Sequence, residues 1–144
     1  NKLGYLMQPG DRAPMGISAS GRALLAALPP AERAALMAVQ PGARGVAEAV
    51  RTGVGFSSEE LIVGMMAAGV AVLDSSGRPV GVISVAMPTA RYEPRSFARH
   101  CRSLAAAAQR LSGRLGATSG MVVQFDALDL PEVAPPRRTA RRVA

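Results

Sequence analysis

A chain of 144 residues, 49% of them hydrophobic, is long enough for one globular domain with a buried core. It carries 17 Lys and Arg against 10 Asp and Glu, a net charge of +7, and its single cysteine, Cys101, excludes an internal disulfide and any multi-cysteine metal site. No segment reaches the roughly 18 uncharged apolar residues of a membrane span, and Asn1-Lys2-Leu3-Gly4 does not open a signal peptide, so a soluble, cytoplasmic protein with no membrane partner is expected.

Residues 1–16 hold Gly4, Pro9, Gly10, Pro14 and Gly16 and read as loop, with Tyr5-Leu6-Met7 as a candidate short strand. Ser18 and Ser20 both precede an apolar run, and either hydroxyl can cap a helix. Leu24, Leu25 and Leu28 share one face of that helix, which stops at Pro29-Pro30. Pro30 suits the first turn of a second helix, where Glu32 meets the positive end of the dipole, Leu36 and Met37 supply apolar contacts, and Pro41-Gly42 ends it. A third helix runs from Gly45 to Thr52, with Val46 and Val50 at i and i+4 and Gly53 as its stop.

Gly55-Phe56 leads into the turn Ser57-Ser58-Glu59-Glu60. Met65 to Asp74 and Pro79 to Met87 flank the turn-forming Ser75-Ser76-Gly77-Arg78 and read as a β-hairpin. Glu93 to Leu115 reads as a long helix of about 34 Å, with Phe97, Cys101, Leu104, Ala108, Leu111 and Leu115 on one stripe and Gly116 after its end. Met121 to Phe125 reads as a further strand. The tail from about Pro131, with Pro135-Pro136 and Arg137, Arg138, Arg141 and Arg142, reads as disordered.

A four-residue hairpin loop places Val70 opposite Ile83 and Gly69 opposite Ser84. One face then carries Ala68, Val70, Val72, Ile83, Val85 and Met87, suited to packing on helices. The other carries Ala67, Gly69, Ala71, Ser84 and Ala86, framed by Met65. Side chains this small leave volume for a ligand, or for a closely packed helix. Met15 and Met65 are the methionines placed to touch such a ligand.

Signals for catalysis are weak. Glu59-Glu60 could serve a cation or acid–base work, but adjacent residues point apart. Gly16-Ile17-Ser18-Ala19-Ser20-Gly21 displaces the last glycine of a nucleophile turn. The sole histidine, His100, neighbours Cys101 on the long helix, where consecutive side chains diverge by about 100°. No catalytic, metal or cofactor residue is assigned. The basic excess leaves two readings, nucleic-acid binding or a charged solvated surface.

Pro14-Met15, Gly21-Arg22-Ala23-Leu24-Leu25-Ala26, Gly53-Val54-Gly55-Phe56 with Glu59-Glu60, Gly64, Asp74 to Pro79, Ser84 to Pro88 and Leu115-Gly116 occur in an order that resembles the effector-binding domain of the IclR family of transcriptional regulators. The resemblance spans residues 12–116. It implies an α/β (α+β), GAF-like fold, an antiparallel sheet flanked by helices with a long C-terminal helix. It implies a domain over 1–116 that is N-terminally incomplete, and a C-terminal extension over 117–144. A winged helix-turn-helix DNA-binding domain upstream and a homodimer or tetramer are likewise implied. It also implies a small-molecule effector held by Ala19, Ser20, Ser57, Met65, Ala67, Ser84 and Ala86, to which the hairpin pattern adds Met15 and Gly69. Where small-oxoacid binders of the family can have Asp, Cys and a second Ser, this chain has Ser57, Ala67 and Ala86. The expected effector is therefore a larger apolar or aromatic molecule, such as a carboxylate held by Ser hydroxyls and backbone N–H groups. The expected function is effector sensing by a ligand-responsive regulator. A small α/β enzyme using Ser20, Glu59 or Glu60 and a pure dimerisation module are the alternatives.

Overall fold

Helix α1 (Ala19–Ala27) begins where the Ser18 hydroxyl accepts from the Gly21 N–H at 3.1 Å. Its far end is closed by Arg33, whose guanidinium donates to the Leu28 carbonyl at 3.1 Å. Helix α2 (Pro30–Met37) starts on Pro30, and α3 (Ala43–Thr52) runs from Gly42 to Gly53, both glycines in left-handed conformations. Strands β1 (Gly55–Ser58), β2 (Met65–Leu73) and β3 (Pro79–Pro88) follow, then a 3-10 turn at Thr89–Arg91 and helix α4 (Pro94–Arg114). This computed structural model describes residues 7–124 with Leu128 and Leu130.

The described sheet is antiparallel with strand order β1-β2-β3. Val70 pairs with Ile83, Gly69 with Ser84 and Ala67 with Ala86, the register that the four-residue loop predicts. Asp74 builds that loop. Its carboxylate accepts from the Ser76 N–H at 2.8 Å, the Ser76 hydroxyl at 2.6 Å and the Arg78 N–H at 3.1 Å.

Helix α4 covers one face of the sheet, and α1, backed by α3, covers the other. The main core joins Ala68, Val70 and Val72 of β2 to Phe97, Cys101, Leu104 and Ala108 of α4. Phe97 is fully buried and meets Phe56 and Tyr92 edge-on at centroid distances of 5.9 and 5.6 Å. Burying a side chain of this size contributes about 3 kcal/mol. Glu93 caps α4, accepting from the Arg95 and Ser96 N–H groups at 3.0 and 2.7 Å. At the other end Gly116 N–H donates to Gly113 and Ala117 N–H to Ser112, the paired closure that a left-handed glycine allows.

The apolar stripe of α4 holds through Ala108 and then shifts: Ser112 is buried, whereas Leu111 and Leu115 are 40% and 45% exposed. A straight helix drifts by about 20° per heptad, so a strict four-three pattern leaves the sheet. Ser112 belongs there because its hydroxyl donates to the Ala108 carbonyl at 2.8 Å and accepts from the Leu73 N–H at 2.9 Å. On α3, Ala49 rather than Val50 accompanies Val46 inward. Helix α2 stops at Met37, short of Pro41, and none of its residues is buried, Leu36 included. Ser57 and Ser58 belong to strand β1, not to a turn. Residues 121–124 form no strand, although Gln124 N–H reaches the Thr52 carbonyl at 2.8 Å. Met7 lies outside any strand. Tyr5, Leu6, Phe125 and the tail from Pro131 lie outside the described residues.

Candidate functional site

The small-residue face of the hairpin is divided in two. Over one part the α1 backbone lies directly on the sheet. A Cβ added to Gly55 would stand 1.9 Å from the Ala19 carbonyl oxygen and 2.5 Å from the Ala23 nitrogen. Gly69 lies under the same carbonyl, with 3.5 Å from its ideal Cβ to that oxygen. Glycine permits this contact, and a packed helix fills this part.

Over the other part a small, half-open space of about 30 Å³ remains. Ala19 from α1, Ser57 from β1, and Met65, Ala67 and Ala86 from the hairpin line it. Ser57 is buried, and its hydroxyl donates to the Ile17 carbonyl at 2.8 Å. Five of the nine predicted residues are thus brought together. Met15, Ser20, Gly69 and Ser84 are not in the lining. Ser84 is exposed on the outer strand, and Met15 backs onto Gly21. Ser18, not Ser20, caps the helix.

Leu61 and Ile62 also line the space and were missed by sequence reasoning. An apolar Leu61-Ile62-Val63 run between Glu60 and Gly64 was the available signal. The loop is held in place by its own polar contacts. Glu59, at a φ of 60°, accepts through Oε1 from the Gly64 N–H at 3.2 Å and the Thr89 hydroxyl at 3.1 Å. Thr89 N–H donates to the Gly64 carbonyl at 2.8 Å.

Glu60 faces the other way, into Arg22. That guanidinium is buried, donating to Gly16 O at 2.8 Å, to Phe56 O, and to both Glu60 oxygens. The two acids therefore hold separate structural positions. His100 is exposed, while Cys101 is buried and desolvation pushes its thiol up to about 11. Among the described residues no cluster of His, Cys, Asp and Glu could hold a metal. None of their helices is long and apolar enough to cross a membrane.

Two wider clefts contain none of the nine predicted residues. One, about 470 Å³, lies between α2 and α3 along Pro30, Met37, Val46 and Val50. The other, about 790 Å³, runs beside the start of α4, with Arg95, Arg99 and Arg102 facing Leu128 and Leu130. Both are open surface grooves.

The fold has solved counterparts. A Silicibacter protein assigned as an IclR transcriptional regulator is similar at 24% identity and a TM-score of 0.73, covering 83% of this chain and 52% of its own. The Agobacterium tumefaciens repressor BlcR is similar at 23% identity and a TM-score of 0.70, covering 78% and 51%. The inducer-binding domain of PobR from Acinetobacter, a double mutant in complex with 3-hydroxybenzoic acid, is similar at 20% identity and a TM-score of 0.65, covering 78% and 73%. The chain spans about half the length of the first two. Their shared fold is the GAF-like one that the motifs implied. No curated protein matches the chain. Residues 2–113 match the family model for the C-terminal part of the bacterial transcriptional regulator IclR, so the chain belongs to that family, one of regulators and not of enzymes.

Proposed function

We propose that the chain is the effector-sensing part of a ligand-responsive transcriptional regulator in the cytoplasm, and that its effector enters between α1, β1 and the hairpin. The observation that carries this reading is the convergence of Ala19, Ser57, Met65, Ala67 and Ala86 on one small recess. The 3-hydroxybenzoic acid complex of PobR supports an organic acid as the ligand class. About 30 Å³ admits little more than one water, whereas organic ligands occupy about 300 Å³ or more. Binding therefore requires the recess to widen, and the loop that carries Leu61 and Ile62 is the wall outside the sheet and helices. Ser57 and backbone N–H groups of the first α1 turn then supply polar anchors, and the remaining wall is apolar. An aromatic or larger apolar carboxylate fits this lining better than a small oxoacid. Occupancy changes the balance of homodimer and tetramer states. DNA is read by a domain outside this chain.

Isothermal titration against aromatic carboxylates and two- or three-carbon oxoacids tests the reading. Binding to the aromatic set, with at least a tenfold loss in Ala67→Leu at unchanged melting temperature, supports it. Binding confined to the small oxoacids, or indifference to Ala67→Leu, overturns it. The α1 backbone seated on Gly55 and Gly69 favours a second reading, a pure dimerisation module. That module would associate and bind none of the panel.

A further inference from the structure

Helix α4 carries Arg95, Arg99, Arg102, Arg110 and Arg114, all exposed, and no acidic residue between Pro94 and Arg114. In sequence these five are scattered. At about 100° per residue they fall within an arc of roughly 120°. That arc lies opposite the buried Phe97, Cys101, Leu104 and Ala108. The result is a band of about 28 Å from Arg95 to Arg114, with Arg95, Arg99 and Arg102 at one end, beside Leu128 and Leu130, and Arg110 and Arg114 at the other.

Helix stability accounts for only part of this band. Arg114 stands in the last turn, where the helix dipole favours a cation, but Arg95 stands in the first turn, where it disfavours one. Arg95 with Arg99, and Arg110 with Arg114, are like-charge i,i+4 pairs, and Arg99 with Arg102 is an i,i+3 pair. Among the described residues none of the five forms an ion pair. The Glu93 carboxylate, the nearest acid in sequence, is turned onto the Arg95 and Ser96 backbone N–H groups. Among the described residues Arg99 donates to the Ser96 hydroxyl at 3.1 Å.

The geometry points to α4 as a docking ridge for the phosphate backbone of duplex DNA, read without base contacts. A duplex presents a charge every ~1.7 Å along its axis, so both arginine groups, Arg95 to Arg102 and Arg110 with Arg114, find phosphates within reach. Arginine suits this task because its planar fork binds phosphate in two-point fashion. This contact belongs to the chain itself and does not depend on the effector site.

Fluorescence anisotropy with a random-sequence duplex and the full chain tests it, with the basic tail controlled for. One variant changes Arg95, Arg99, Arg102, Arg110 and Arg114 to Gln. A second changes Arg137, Arg138, Arg141 and Arg142 to Gln. The ridge variant is expected to lose at least tenfold in affinity at about 50 mM salt, with the slope of log K against log salt falling by about 3 to 4.5. The tail variant keeps most of both. Full binding by the ridge variant at an unchanged melting temperature overturns the proposal, as does loss confined to the tail variant. Poly-glutamate competing as well as DNA at equal charge also overturns it, since the ridge would then be a generic cation surface.

Discussion

Arg22 and Glu60 form a two-point ion pair in which the arginine side chain is 4% exposed and the glutamate 42%. The arrangement is lopsided. Arg22 also donates to Gly16 O and Phe56 O, so it ties α1, the loop before it and β1 together even without Glu60. Gly45 is part of this arrangement, since its ideal Cβ would lie 2.2 Å from the guanidinium carbon.

Arg22→Met is expected to destabilise the domain by about 3 kcal/mol, because it strands buried carbonyls and the Glu60 charge. Glu60→Gln should cost less, about 2 kcal/mol, since it leaves the buried Arg22 charge without its counter-ion but keeps an amide acceptor and both carbonyl contacts. Urea unfolding of both variants checks the order. Equal losses would show that the ion pair, rather than the carbonyl contacts, dominates.

Gly55→Ala should destabilise by about 3 kcal/mol or more, because backbone rather than a flexible side chain stands in the way of the new methyl. Gly81→Ala, whose Cβ meets nothing within 4 Å, is the control and should stay close to the parent in the same melt.

Ser112→Ala removes the acceptor of the Leu73 N–H inside the core. A loss of about 2 kcal/mol is expected. Leu111→Ser, one residue earlier on the exposed face, should cost under about 1 kcal/mol. Thermal unfolding that ranks them the other way would restore the four-three stripe.

Acid should weaken the fold in a defined window. The Ser76 hydroxyl and the Arg78 and Ser76 N–H groups lower the Asp74 pKa, and backbone N–H groups of Ser96 and Arg95 lower that of Glu93. The unfolded chain binds these protons first, so the contribution is complete above the ordinary carboxylate range. It is lost as pH falls through the lowered values. The melting temperature should hold from pH 7 to about 5 and drop below about 4. Asp74→Asn should show a shallower drop.

Cys101 should behave as a packing residue. With its thiol pushed up to about 11, the native chain at pH 8 carries about 100-fold less thiolate than an ordinary cysteine, before burial is counted. Disulfide-reagent consumption should be slower by at least that factor than in urea. The raised value also favours the fold below about pH 9, an advantage lost as pH climbs to about 11. Cys101→Ala should lack that alkaline part.

The hairpin was legible because period-two alternation and Ser75-Ser76-Gly77-Arg78 leave one register that buries Val70 and Val72. Helix ends were legible wherever Pro30, Gly53 or Gly116 marks them. Strand β1 was not, since Ser57-Ser58 carries turn chemistry and becomes extended only by pairing with Ala67 and Met66. Residue types alone placed Ala67 and Ala86 on the small face. They could not divide that face, because the division depends on how closely α1 approaches Gly55 and Gly69. The place of Leu61 and Ile62 beside the recess depends on the Glu59 contacts, which have no periodic trace.

The Glu32–Arg78 bridge, at 2.8 and 2.9 Å, spans from α2 to the hairpin turn at the protein surface. With no buried residue, α2 has little apolar area to hold it, and an exposed bridge adds little in water. Helix α2 is therefore the part of the domain most ready to detach while the sheet and α4 stay intact. Its amide hydrogens will be the first helical ones to exchange with deuterium, and raised salt will quicken them without moving those of β2.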